Sequence, residues 1–333
     1  MKVSVRAVSA LVAVTGILLV VLFVPSKSTS WPEIRIAVSE TPLSAPLIIA
    51  SSNGYFQKHD LKIKLIKARG GVNCMQMLLN DEVDLATTSD SVVMFTRFER
   101  DDFGVLTSFA ESDNDVKILT LAASPDSTSP ALENGTAGVV IDSASEFFLD
   151  AYMAMEGMNT RGIEKRGYQP HKLGEALLRK EVDYIAVWEP YSYMLSRDYP
   201  DRVFSYETRG INNLHFLLSH RTDENGESTI DREVSVRVID ALEEANRFIS
   251  LYPGKAKKLV ADFLSMPEAQ LAYLWSDYTF RLTISDAMFL SLTMQANWAI
   301  GSGKTSRAEP PDFRDLFASS PLLPHVPANQ ASQ

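Results

Sequence analysis

Four short turns gather the residues of this chain whose types suit ligand chemistry. They are Ser39-Glu40-Thr41-Pro42-Leu43-Ser44, Thr87-Thr88-Ser89-Asp90-Ser91, Asp142-Ser143-Ala144-Ser145-Glu146 and Trp188-Glu189-Pro190-Tyr191. Each follows an apolar run that reads as a strand, and each opens a run with helical spacing. Free N–H groups at a helix start hold anions or polar ligand atoms. Hydroxyls and carboxylates add side-chain hydrogen bonds, and an indole such as Trp188 stacks on a flat or apolar group. That chemistry is reversible capture of a small molecule. The same residue types suit other work: Ser, Thr, Asp90 and Glu146 as helix caps, Trp188 as packing between lobes, Glu189 as an N-cap. The candidate ligand-binding residues are Thr41, Leu43, Ser44, Ser89, Asp90, Ser91, Ser143, Ala144, Ser145, Glu146, Trp188, Glu189 and Tyr191. Glu111 and Asp113 read as solvated residues of a crossover.

Catalytic signatures are scarce. The chain holds no HExxH, no GxSxG and no phosphate-binding loop of the P-loop type. Gly301-Ser302-Gly303-Lys304-Thr305 lacks the upstream glycine spacing and follows a helix rather than a strand. His59, His171, His215, His220 and His325 show no metal-ligand spacing. The single cysteine, Cys74, forms no intramolecular disulfide and sits among Met75, Met77 and Leu78, where a small buried hydrophobe fits better than a nucleophile. The expectation is a protein that is not an enzyme and needs no cofactor and no metal.

The turns must be held by something, and the sequence states its scaffold twice. Leu78-Leu79-Asn80-Asp81-Glu82-Val83-Asp84-Leu85-Ala86 and Leu177-Leu178-Arg179-Lys180-Glu181-Val182-Asp183-Tyr184-Ile185-Ala186 share the pattern LL-x-x-EVD. Upstream of each, an apolar strand (Ile36–Ser39, Val139–Ser143) runs into an apolar helix (through Ile49, through Met155). A strand–helix…helix–strand unit used twice predicts two similar α/β lobes with mostly parallel strands and a cleft between them. Ligands of open α/β sheets lie beyond the carboxyl ends of the strands, which is where the four turns fall. Strands are expected at 34–38, 63–67, 84–86, 105–110, 117–122, 136–141, 163–166, 184–187, 203–206 and 215–219. Helices are expected at 44–53, 72–79, 90–97 with Asp90 as N-cap, 145–157, 170–180 and 191–199, and then at 253–264, 267–273 and 285–300 after a helical run from Val234. The chain leaves the first lobe near Ala110–Val116 and returns near Asn212–Ser219, so two crossovers form a hinge. The expected divisions are 1–30 as signal peptide or membrane anchor, 31–110 as the first part of lobe one, 111–212 as lobe two, 213–300 as the return to lobe one, and 301–333 as a surface tail.

Bulk properties agree with an exported binding module. The chain has 333 residues, 45% apolar and 22% charged, ample for two domains. Its net charge is −10, with no basic stretch long enough for nucleic acid. Lys2 and Arg6 precede an almost wholly apolar run from Ala7 to Val24, ended by Pro25, which reads as a cleaved signal or an inner-membrane tether.

The motifs in order resemble the periplasmic solute-binding proteins of ABC importers in the nitrate, sulfonate, taurine and thiamine-precursor group. The resemblance rests on Pro42-Leu43-Ser44-Ala45-Pro46-Leu47, Asn53 to His59, Gly70-Gly71, Glu82 to Ala86, Ser143 to Leu149, and Glu181-Val182-Asp183 through Tyr191, and it covers about Ile34 to Trp298. It implies a type II periplasmic binding fold, ligand-binding positions in the four turns, a membrane permease as partner, and a monomer. Glu40, Asp90, Glu146 and Glu189 would make the cleft acidic, so the expected ligand is neutral or cationic, such as an amine or a pyrimidine-like ring on Trp188. Two alternatives share the fold: a membrane-tethered periplasmic sensor that presents its liganded form to a signalling protein, and an enzyme of thiamine-precursor synthesis.

Overall fold

Two mixed sheets, each wrapped by helices, carry the chain. The computed structural model describes residues 33–122, 132, 135–158 and 162–323, so the expected signal or anchor segment, most of the loop before Thr136 and the last ten residues lie outside the described residues. The first pass runs β1 (Ile34–Ser39), a 3₁₀ turn (Pro42–Ser44), α1 (Ala45–Ser52), α2 (Tyr55–Lys58), β2 (Ile63–Ala68), α3 (Gly71–Leu79), β3 (Leu85–Ser89), α4 (Asp90–Glu99) and β4 (Phe103–Ser112). The chain then crosses to β5 (Val116–Leu121), β6 (Thr136–Val139), α5 (Ala144–Met155), β7 (Glu164–Gly167), α6 (Pro170–Leu178), β8 (Tyr184–Trp188), α7 (Tyr191–Asp198) and β9 (Val203–Ser205). It returns as β10 (Leu214–Arg221), α8 (Arg232–Leu251), α9 (Pro253–Leu264), α10 (Glu268–Leu274), β11 (Thr279–Thr283) and α11 (Asp286–Gly301).

The six-stranded sheet has the order β11-β4-β10-β3-β1-β2 and the five-stranded sheet β7-β6-β8-β5-β9. In the first, β1 is parallel to β2 and β3 while β10 is antiparallel to β3 and β4. In the second, β6 is parallel to β7 and β8 while β5 is antiparallel to β8 and β9. The halves therefore repeat one motif, a parallel triplet with an antiparallel strand added at the same place.

The sequence echo has a structural cause. At the end of α3, Glu82 N donates to Met77 O at 2.9 Å and Asp81 N to Leu78 O at 3.1 Å. At the end of α6, Glu181 N donates to Ala176 O at 3.0 Å and Lys180 N to Leu177 O at 2.9 Å. This paired closure satisfies the last helical carbonyls and requires a left-handed residue. Asp81 and Lys180 take it, with φ of 63° and 59°. The following valines, Val83 and Val182, are buried. Each EVD aspartate then ties into the neighbouring strand: Arg35 N donates to Asp84 Oδ2 and Thr136 N to Asp183 Oδ2, both at 2.7 Å.

One core cluster packs α3, α4 and α11 against the first sheet through Met75, Leu78, Val93, Leu217, Met288 and Leu292. Cys74 belongs to it, fully buried, with burial pushing its thiol up to about 12. A second cluster, with Leu119, Leu173, Leu177, Ile185 and Val203, fills the other half. The crossovers from β4 to β5 and from β9 to β10 lie side by side: Gly210 N donates to Asp113 O at 3.0 Å, and Arg209 pairs with Asp113 at 3.1 Å and Asp277 at 2.6 Å.

Three expectations need correction. The cap of α4 is Ser89, whose Oγ accepts from Val92 N, and Asp90 is the first helical residue. Thr279–Thr283 forms an edge strand on β4 that the sequence reading left unassigned. The segment after Gly301 is no mere surface tail: Phe313, Leu316 and Phe317 of a 3₁₀ turn are buried in the first core cluster. Its Pro, Ser and Ala content concealed these three apolar anchors.

Candidate functional site

The carboxyl ends of β1, β3 and β8 converge on a small, partly open cavity. Thirteen residues line it: Ser39, Thr41, Leu43, Gly71, Val72, Ser89, Val92, Asp115, Ser143, Ala144, Trp188, Leu214 and Phe216. They come from both sheets and from the starts of four helical segments. Glycines let α3 approach closely. A Cβ on Gly71 would lie 2.8 Å from Thr88 Oγ1, and one on Gly70, at φ 86°, would lie 3.3 Å from the Trp188 ring.

Of the residues expected from sequence, Thr41, Leu43, Ser89, Ser143, Ala144 and Trp188 lie on the cavity wall. The three hydroxyls also cap: Thr41 Oγ1 accepts from Leu43 N at 3.4 Å, Ser89 Oγ from Val92 N at 3.4 Å and Ser143 Oγ from Ser145 N at 3.2 Å. Ser143 Oγ spends its proton on Val140 O at 2.7 Å, whereas the protons of Thr41 and Ser89 have no such acceptor among these contacts. Capping and lining are thus compatible roles of one side chain.

The other seven are held away from the cavity. Ser44 Oγ donates to Ser39 O at 2.8 Å, and its counterpart in the second half, Ser145 Oγ, donates to Ala186 O at 2.7 Å; both pin a helix to a sheet. Asp90 is buried behind α4, accepting from Ser91 N at 2.8 Å, Gln295 Nε2 at 3.0 Å and His215 N at 3.4 Å, and burial raises its pKa. Ser91 is buried beside it, with no hydrogen-bond partner for its Oγ. Glu189 caps α7, accepting from Tyr193 N at 2.9 Å. Tyr191 faces a separate surface groove with Met194 and Tyr199.

Glu146 is the most heavily engaged. It pairs with Lys304 at 2.6 Å and Lys165 at 3.6 Å, and its side chain is 2% exposed. Lys165 also pairs with Asp150 at 2.6 Å, and Trp298 Nε1 donates to Asp150 Oδ2 at 2.9 Å. Trp298 stands edge-on to Phe95 and Phe147. The end of α11 is thereby fastened to α5. With Asp90, Glu146 and Glu189 committed elsewhere, the acidic cleft expected from sequence is largely absent, and the argument for a cation loses three of its four carboxylates.

A carboxyl that does line the cavity is Asp115, from the crossover whose Glu111 and Asp113 read as solvated. Asp115 is 3% exposed and accepts from Tyr278 Oη at 3.0 Å. Burial, and then the charge of Glu189, pushes its pKa up to about 8. Val116 pairs with Trp188 across the β5–β8 ladder, which places Asp115 next to Glu189. Only the pairing of these strands reveals that position. Phe216, Leu214, Val72 and Val92 were likewise invisible as cavity residues, because in sequence they are ordinary core positions.

Among the described residues, no group of three His, Cys, Asp or Glu side chains could hold a metal ion, and no helix is long and apolar enough to cross a membrane.

Solved structures share this fold. The periplasmic aliphatic sulphonate-binding protein SsuA from Escherichia coli superposes with a TM-score of 0.67 at 16% identity, over 86% of this chain and 92% of that one. The alkanesulfonate-binding protein SsuA from Xanthomonas axonopodis pv. citri, bound to MOPS, gives 0.71 at 15% identity, over 85% and 97%. The Candida albicans CA3427 gene product, described as having the generic periplasmic binding protein fold, gives 0.67 at 16%, over 87% and 96%. No curated protein matches the chain significantly. The family model described as NMT1/THI5 like matches residues 41–255, a span that holds every cavity residue except Ser39. Built as two repeated α/β halves around that cavity, the chain belongs to the NMT1/THI5-like family.

Proposed function

We propose that this protein is an exported solute-binding protein that captures a small molecule between two lobes and delivers it to an ABC importer. The observation that carries the reading is the cavity itself, walled by both sheets, with Thr41, Ser89 and Ser143 at helix starts and Trp188 and Phe216 as apolar surfaces. One lobe is formed by residues 31–110 with 213–300 and the other by 111–212, and closure over the paired crossovers buries the ligand. Hydrogen bonds at the helix starts and ligand burial supply the affinity. The lining supports hydrogen bonding through Thr41, Ser89 and Asp115 and apolar contact through Leu43, Trp188 and Phe216. The sulfonate-binding names of two structural neighbours support a solute-binding role and suggest a sulfonate-like ligand. Residues 1–30 act as the export signal or tether, the protein works in the periplasm as a monomer, and the partner is a membrane permease.

A thermal-shift screen of residues 31–333 tests this, with nitrate, sulfonates, amines, amino acids and pyrimidines. Binding to the native state alone adds RT ln(1 + [L]/Kd), about 2.7 kcal/mol at a hundredfold excess over Kd. A rise of several degrees with one compound class is expected. A flat response across the panel contradicts the reading.

A further inference from the structure

We propose that Asp115 selects the ligand: its carboxyl O–H donates a hydrogen bond to an acceptor-only head group, so the cavity takes a small oxyanion or carbonyl compound and rejects an ammonium ion. The inference rests on the solute-binding reading and names the chemistry that the site recognises.

The geometry argues for a proton on Asp115. Asp115 and Glu189 are adjacent buried carboxyls across the β5–β8 ladder, joined by the 3.0 Å bond from Glu189 N to Asp115 O. Two such groups in a low dielectric do not both ionise at neutral pH. Glu189 is the better home for the negative charge, because its Oε2 accepts from Tyr193 N in the first turn of α7. The proton therefore stays on Asp115. Tyr278 Oη donates to Asp115 Oδ1, which leaves Oδ2 to carry the proton on a residue of the cavity wall.

The other charged groups nearby do not reverse this. Lys117 lies on β5 with its ammonium against Asn114 Oδ1, and it favours ionisation of Asp115 less than Glu189 opposes it. Asp277, from the segment before β11, adds to the opposition but is itself paired with Arg209 at 2.6 Å. The pKa of about 8 agrees with a protonated carboxyl at neutral pH. The remaining polar lining points the same way. Helices α4 and α5 direct their positive ends at the cavity, which disfavours a cation, and Thr41 and Ser89 offer hydroxyl protons. Leu43, Val72, Val92, Trp188 and Phe216 fit the apolar remainder of the ligand.

The test is calorimetric titration of 1-propanesulfonate and 1-propylammonium into the wild type, Asp115→Asn and Asp115→Ala, at pH 6.5 and 9.5. The wild type is expected to bind the sulfonate and not the amine. Ionisation above the free pKa weakens binding tenfold per unit, so affinity falls by roughly thirtyfold at pH 9.5. Asp115→Asn keeps a donor and is expected to bind within about threefold of wild type with no pH dependence, while Asp115→Ala loses about tenfold at pH 6.5. Amine binding at pH 6.5 as tight as sulfonate binding overturns the proposal. So does a wild-type pH fall in Asp115→Asn, or wild-type affinity in Asp115→Ala. If the sulfonate fails while only an amine raises the melting temperature, the role of Asp115 is wrong and the binding function stands. If no compound does so, both fall.

Discussion

His220 shows how a single buried residue sets the acid limit of this protein. It is fully buried on β10, with Nδ1 donating to Arg221 O at 2.9 Å and Nε2 against Ser319 Oγ at 2.8 Å. The carbonyl makes Nδ1 the protonated nitrogen, and burial, outweighing that bond, holds the pKa down at about 4. The folded pKa is below the unfolded one, so the stabilisation is present above about 6.5 and is lost as pH falls toward 4. At 1.36 kcal/mol per unit the full effect is about 3 kcal/mol. Denaturant titrations at pH 7.5 and 4.5 should show His220→Gln losing less on acidification than wild type, by about 2 kcal/mol. Equal losses would assign the acid sensitivity elsewhere. At single positions the sequence told types better than directions. Thr41, Ser89 and Trp188 were legible because strand ends carry ligands in this class of sheet. Asp90, Glu146 and Glu189 misled because a carboxylate beside a helix start points equally well into the cleft or into the core. Their partners, Gln295, Lys304 and Tyr193, are fixed by tertiary contacts.

Among the elements, the repeated LL-x-x-EVD unit was fully readable, because helix closure, a left-handed residue and a buried valine are local requirements with a local signature. It makes a prediction of its own. Lys180 is exposed at φ 59°, a conformation that suits glycine. Lys180→Gly should stabilise the fold by about 0.5–1 kcal/mol and Lys180→Val should destabilise it, as read by chemical denaturation. The contact between α11 and α5 was not readable, since its groups are 158 positions apart, from Glu146 to Lys304. Removing one partner of a buried pair leaves the other uncompensated, so Lys304→Ala should cost about 1–3 kcal/mol. Adding Glu146→Gln to that variant should recover part of the loss. A double variant no more stable than Lys304→Ala would deny the pair its role. β11 was legible in principle, since Tyr278 to Ile284 alternates apolar and polar residues without a break, the pattern of a half-buried strand.

For the molecule as a whole, the two sheets repeat a parallel triplet with an antiparallel strand added at the same place and the crossovers between them lie side by side, which supports the proposed closure on a small solute. The two-lobe architecture followed from the sequence because the repeat demanded it, whereas the place of Asp115 on the cavity wall did not, because it depends on how β5 pairs with β8. The most direct measurement is calorimetric titration of the best panel compound into wild type and Ala144→Phe. Ala144 sits on the cavity wall at the start of α5, where a phenyl ring fills the binding space. The account predicts one binding site per chain in the wild type. It predicts at least a hundredfold weaker binding in the variant, with the ligand-free melting temperature within about 3 °C of wild type. Undiminished 1:1 binding in a folded Ala144→Phe would contradict it.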